Sequence, residues 1–195
     1  ESTKNKHSIF FIWPLIIFIL ALISMVNALT EGSVDSWGAL YMRDFIKVDG
    51  FYIGLATLSF NIFMVLGRFS GDWVRDKIGV FQLILFLFMS TILSLIILLN
   101  FNNIIAAIIG FSLLGIGASS IVPIAYSLAG KIKGIDGGVG ITIISIAVYG
   151  TFIGAPASLG FIANNYGINN IFIPMLIIFV FLIIPISFYR KNFLI

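Results

Sequence analysis

An all-α fold, a polytopic bundle of six transmembrane helices, is predicted for this 195-residue chain on three observations. Sixty per cent of the residues are hydrophobic and only 10% are charged. The mean hydropathy is +1.15, whereas soluble domains carry about a quarter charged residues. Apolar runs of about 20 residues recur along the chain, long enough as helices to cross a hydrocarbon core roughly 30 Å thick. Barrel strands are the rival for Ile-rich sequence, but they are only about 10 residues long and alternate strictly. These runs show no period of two, and in lipid a helix satisfies its backbone hydrogen bonds within one segment.

The polar opening, residues 1–8, reads as a cytoplasmic tail or the remnant of a loop that joined this bundle to something upstream. The run after it is too long for a signal-peptide core, and no small-residue cleavage site follows. Residues 9–189 are expected to form the bundle, and residues 190–195 a second cytoplasmic tail. The six spans are expected over Ile9–Leu29, Phe51–Gly71, Val80–Leu99, Ile104–Gly130, Val139–Ala163 and Ile168–Tyr189.

Basic residues set the orientation. Lys4 and Lys6, then Arg68, Arg75 and Lys77, then Lys131 and Lys133, then Arg190 and Lys191 all fall on one side. The opposite side holds Arg43 and Lys47 beside Glu31, Asp35, Asp44 and Asp49. A multi-pass protein of the cell (inner or plasma) membrane with both termini in the cytoplasm is therefore expected.

Several chemistries are excluded by composition. With no Cys there are no disulfides, thiolate metal sites or Cys nucleophiles. His7, the sole histidine, lies in the opening tail, and no phosphate-cradling Gly-Lys-Ser/Thr loop occurs. No enzyme activity, cofactor or metal site is expected. The formal charge of +3 is spread in short patches between apolar runs, which argues against nucleic acid as a partner.

Two stretches carry a family resemblance. Gly67-Arg68-Phe69-Ser70-Gly71-Asp72-Trp73-Val74-Arg75-Asp76-Lys77-Ile78-Gly79 resembles the cytoplasmic loop signature of the major facilitator superfamily, with Asp76–Gly79 matching its later part. It departs from that signature where Asp72 stands four before Asp76, and where Val80 and Phe81 replace basic residues. The stretch from Glu31 to Tyr41 is similar to the seventh helix of a sugar-permease-like bacterial branch. Gly115–Pro123 and Gly150–Pro156 are similar to its tenth and eleventh helices. The resemblance implies the carboxyl-terminal six-helix half of a twelve-helix secondary transporter, with residues 1–8 as the inter-half linker. Its partners would be a small-molecule solute, the lipid bilayer and an amino-terminal six-helix half on the same or a separate chain. Its activity would be gradient-driven transport of a sugar or other small organic compound. The alternative is a non-transporting module, a truncated remnant or an assembly subunit.

Candidate site residues fall in two groups. Ser24, Asn27, Glu31 and Asp35 form one polar stripe if the first helix continues past Leu29; if the span ends there, both carboxylates sit in water. Glu31 and Asp35 are i,i+4 neighbours. Acidic groups within a span are costly and usually face a cavity or partner. Close carboxylates repel when both are ionised, a pattern suited to proton coupling or to binding a hydroxylated or cationic solute. Thr142, Ser145 and Tyr149 form a second stripe. Asn61, Ser119, Ser120 and Tyr126 are further polar groups that can face the bundle interior or bond their own helices.

The second group is a cytoplasmic gate: Arg68, Gly71, Asp72, Arg75, Asp76, Lys77 and Gly79. Asp72 and Asp76 are expected to cap a neighbouring helix and to pair with Arg68 and Arg75, either as a latch or as incidental pairs of a solvated loop. Gly67 with Gly71, and Gly150 with Gly154 and Ser158, are small-xxx-small pairs that allow close helix packing. Pro123 and Pro156 are expected to bend their helices. Trp13, Trp37 and Trp73 read as interface anchors.

Overall fold

A computed structural model describes residues 14–132 and 134–188. Lys4, Lys6, His7, Trp13, Lys133, Arg190 and Lys191, used above, lie outside the described residues.

Helix α1 (Leu15–Asp44) starts directly after Pro14, whose fixed φ and missing N–H suit a helix beginning. It runs 30 residues, well past Leu29. Glu31 and Asp35 are therefore helical rather than in a loop. A short 3₁₀ turn (Gly50–Gly54) leads into α2 (Leu55–Ile78). The connection expected from Gly67 onward is helical as far as Ile78, because no breaker interrupts it before Gly79. That single residue separates α2 from α3 (Val80–Asn100) with φ +85°, a conformation open mainly to glycine.

Helix α4 (Ile104–Ala118) is capped by Asn103, whose side chain accepts from the Ala106 N–H at 2.8 Å. Ser119 and Ser120 then interrupt the span before α5 (Ile121–Ala129). The bend expected at Pro123 is thus a break three to four residues ahead of it. Helix α6 (Gly137–Tyr166) is capped by Asp136, which accepts from the N–H groups of Gly138 and Val139 at 2.9 and 3.3 Å. A second 3₁₀ turn (Ile168–Ile171) precedes α7 (Phe172–Phe188). Counting α4 and α5 as one span, six segments among the described residues are long and apolar enough to cross a membrane.

Helix α4 is wedged between α2 and α3, while α1 lies chiefly on α6. Lipid offers no hydrophobic drive for helices to associate, so close backbone approach has to do the work. A β-carbon on Gly115 would collide with the Phe60 carbonyl of α2, and one on Gly117 with the Thr91 hydroxyl of α3. Reciprocally, β-carbons on Gly67 and Gly71 would lie 2.6 and 2.5 Å from the hydroxyls of Ser119 and Ser120. The second small-residue pair differs. At Gly150 and Gly154 nothing lies within 4 Å of a β-carbon, so this stripe packs on nothing within the bundle. Helices α2 and α6 are the least enclosed of the six spans.

At the far end of α1, Tyr41 is fully buried against Phe45, Phe111 and Phe172, with centroids 5.1, 5.6 and 5.4 Å away. Its hydroxyl donates to the Leu98 carbonyl at 2.6 Å, close to the end of α3. Trp37, expected as an interface anchor, packs partly buried between α1 and α6. Its ring reaches to 3.1 Å from the β-carbon position of Gly160 on α6, and its indole N–H is buried without a partner. The reason is the small residue opposite, which leaves room for an indole inside the α1–α6 contact. Trp73 does lie exposed, with the Lys77 ammonium 3.7 Å from its ring centroid.

Candidate functional site: a carboxylate beside a broken helix

The polar stripe on α1 forms once the helix continues. Ser24 donates to its own helix at Leu20, 2.8 Å away. Asn27 is 1% exposed, and its Nδ2 donates to the Ala118 carbonyl at 3.3 Å. Its Oδ1 is buried and has no hydrogen-bond partner. Glu31, one turn further, is partly enclosed; its Oε1 lies 3.9 Å from Nη2 of Arg68 on α2. That distance is an ion pair at its outer limit, too long for a hydrogen bond. Asp35, another turn on, is exposed.

Arg68 is anchored elsewhere. Its Nε donates to the Ser119 carbonyl at 3.3 Å, and Nη2 approaches Met64 Sδ at 3.5 Å. In an unbroken helix the Ser119 carbonyl would accept from residue 123, but Pro123 has no N–H. The interrupted fourth span therefore presents two adjacent carbonyls, Ala118 and Ser119, each met by a side chain from a different helix. This arrangement was not read from the sequence, although a proline four residues after Ser119 was the available signal.

The gate residues differ from expectation in their pairing. Arg75 takes both nearby carboxylates, Asp72 at 3.0 Å and Asp76 at 3.3 Å, because the helical register sets it between them. Arg68 instead turns inward to Glu31 and Ser119. Helix α3 starts without a side-chain cap, and Asp72 and Asp76 are largely exposed. All the gate residues except Lys77 line one open cavity of about 510 Å³, whose other walls include Val80 and Leu83 of α3 and Ser120, Pro123 and Lys131.

The remaining candidates scatter. Asn61 bonds its own helix at Thr57, 2.9 Å away. The Ser119 hydroxyl donates to Ile116 at 2.7 Å and lies 3.4 Å from Ser120 Oγ. Ser145 Oγ lies 3.2 Å from the Tyr126 hydroxyl, which joins α6 to α5. Thr142 and Tyr149 do not face the interior of this bundle. Both are exposed, because α6 meets its neighbours along Ile144, Val148, Ala155 and Leu159. No group of three His, Cys, Asp or Glu among the described residues is placed to hold a metal.

A partly enclosed acid facing a cation beside a helix break, in a bundle of six apolar spans, defines a polytopic α-helical membrane protein. No protein-family model matches the chain. An uncharacterized MFS-type transporter of Yersinia pestis is 30% identical to it over 157 residues, 77% of this chain and 41% of that protein. Membrane protein MosC of Rhizobium meliloti is 29% identical over 154 residues, 79% of this chain and 38% of that protein. Among solved structures, the peptide transporter POT in complex with alafosfalin matches with a TM-score of 0.80 at 18% identity, over 95% of this chain and 40% of the other. Its complex with sulfate matches equally, over 39% of that chain. The likeness to POT is one of fold. The chain belongs to the major facilitator superfamily, and it spans about two fifths of the length of the curated relatives it matches.

Proposed function

We propose that this chain is the carboxyl-terminal half of a secondary active transporter that moves a small solute across the cell membrane by alternating access, coupled to protons through Glu31. Glu31 carries the reading: a partly enclosed carboxylate just past the middle of a 30-residue span, facing Arg68 at 3.9 Å. Such a group is costly in a membrane unless it has work to do there, and a loose pair is readily exchanged for a proton. The cargo is a sugar or comparably small polar compound, recognised from the stripe of Asn27 and Glu31 together with groups of the other half. An amino-terminal six-helix half completes the cavity and docks on α2 and α6, the least enclosed spans. Both chain ends, residues 1–8 and 190–195, lie in the cytoplasm on this reading. The Arg75–Asp72–Asp76 cluster is the cytoplasmic latch.

The test is solute accumulation in proteoliposomes that hold this half together with an amino-terminal half. Glu31→Gln is expected to abolish accumulation driven by a pH gradient while exchange between loaded and bathing solute survives. Accumulation by Glu31→Gln at the unmodified rate would remove proton coupling through this residue.

A further inference from the structure

We infer that Asn27 is the partner of Glu31 in its protonated state. On this inference the carboxyl passes from Arg68, when ionised, to the amide oxygen of Asn27, when neutral. It rests on the proton-coupled reading above and deepens it by naming where the proton sits.

Four observations lead there. Asn27 is 1% exposed, yet its Oδ1 has no donor, an uncommon state for a buried polar atom. The amide cannot be turned around to remove the difficulty. The Ala118 carbonyl can only accept, so the nitrogen has to face it and the oxygen has to face elsewhere. Neighbouring hydroxyls are committed: Ser24 donates to Leu20, and Thr30 donates to Val26. Finally, Glu31 stands at i+4, where side chains on one helix face meet.

An ionised carboxylate only accepts, so beside Oδ1 it makes two acceptors without a hydrogen between them. Glu31 then turns to Arg68, which is the arrangement observed at 3.9 Å. A proton converts Glu31 into a donor, for which Oδ1 is the waiting acceptor. Among the spans packed on α1, charged side chains are confined to α2: Arg68, Asp72, Arg75, Asp76 and Lys77. Helices α5 and α6 add only the phenols Tyr126, Tyr149 and Tyr166, and α4 and α7 add nothing titratable. Asp35 is the acidic neighbour one turn along α1 itself. Asn27 and Arg68 also hold the adjacent carbonyls of Ala118 and Ser119. The Glu31 carboxyl, ionised or protonated, therefore passes between the two side chains that clamp the break in the fourth span.

The experiment is infrared difference spectroscopy across a pH step on the full-length protein in liposomes. The carboxylic C=O band of Glu31 is assigned by its loss in Glu31→Gln. Asn27→Leu is expected to raise the frequency of that band and to lower the protonated population at fixed pH by about tenfold, the worth of one hydrogen bond. Asn27→Thr, which keeps an acceptor, restores both in part. Arg68→Gln raises the protonated population and leaves the band frequency unchanged. Asn27→Leu also bares the Ala118 carbonyl and can fail to fold. The second measurement therefore uses unmutated protein carrying carbon-13 in its asparagine side chains, where acidification is expected to lower one amide C=O frequency in a Glu31-dependent way. An unmoved Glu31 band in folded Asn27→Leu, or an asparagine band indifferent to acidification, overturns the inference. Failure of this pair with gradient-driven accumulation intact removes Asn27 and leaves proton coupling. Intact bands with uptake indifferent to Glu31→Gln do the reverse.

Discussion

Arg68 on α2 donates through Nε to the carbonyl of Ser119, the acceptor that Pro123 leaves without an N–H four residues on. A side chain from one helix thus supplies what the broken helix cannot. The same guanidinium faces Glu31 on α1, so three spans meet at one residue. Lysine keeps the charge but not the fixed fork of donors. Arg68→Lys is expected to destabilise the bundle by about 1 kcal/mol, the net worth of one hydrogen bond at a half-exposed site. Pro123→Ala supplies the missing N–H and relieves the need for Arg68. In that background the cost of Arg68→Lys should fall close to zero, and a double-mutant cycle on thermal unfolding in detergent measures the difference. Additive costs would show that Arg68 and the break are independent.

Gly115 on α4 and Gly154 on α6 separate packing inside the bundle from packing against something else. Gly115 has the Phe60 carbonyl where a β-carbon would go, and backbone cannot move aside as a flexible side chain can. Gly115→Ala is expected to cost about 1–3 kcal/mol, the usual range for overpacking. Gly154 has open space, so Gly154→Ala should leave the unfolding midpoint of this half unchanged. Gly154→Leu should likewise spare this half but weaken its association with an amino-terminal half, read by co-purification of the separately expressed halves. Destabilisation by Gly154→Ala alone would place α6 inside the bundle after all.

Much of the architecture was legible in the sequence because lipid imposes one rule, internal hydrogen bonding of long apolar runs. Ile104–Gly130 and Val80–Leu99 were bounded to within a residue or so, since Asn and Gly punctuate them. The first span was not: Thr30–Asp35 is polar enough to look like loop, and hydropathy cannot see that Ser33 and Thr30 bond back to their own helix. The stripe of Ser24, Asn27, Glu31 and Asp35 followed from spacing only on the condition that the first helix runs past Leu29, which it does. The partner of Glu31 did not follow, because Arg68 had closer acids in sequence and nothing local said that Arg75 would take them. Nor does a period of 3.6 say which face of a helix turns inward, which is why Tyr149, 65% exposed, was grouped with Ser145, which reaches Tyr126.

The proposed latch makes a prediction of the opposite kind to that at Arg68. Arg75 pairs with Asp72 and Asp76 at the rim of the cavity, where both carboxylates are largely exposed. Exposed pairs of this sort contribute about 0.2–1 kcal/mol, so Arg75→Gln should change stability little. If the cluster holds the cytoplasmic side shut, the same substitution leaves Asp72 and Asp76 repelling each other and favours the open state there. The expected result is a near-normal unfolding midpoint with increased labelling of a cysteine placed at Ser127, which lines the cavity. The chain has no native cysteine to confuse the readout. Adding Asp76→Asn to Arg75→Gln removes the repulsion and should return labelling toward the unmodified level. Equal labelling in all three proteins would reduce the cluster to a solvated surface feature of α2.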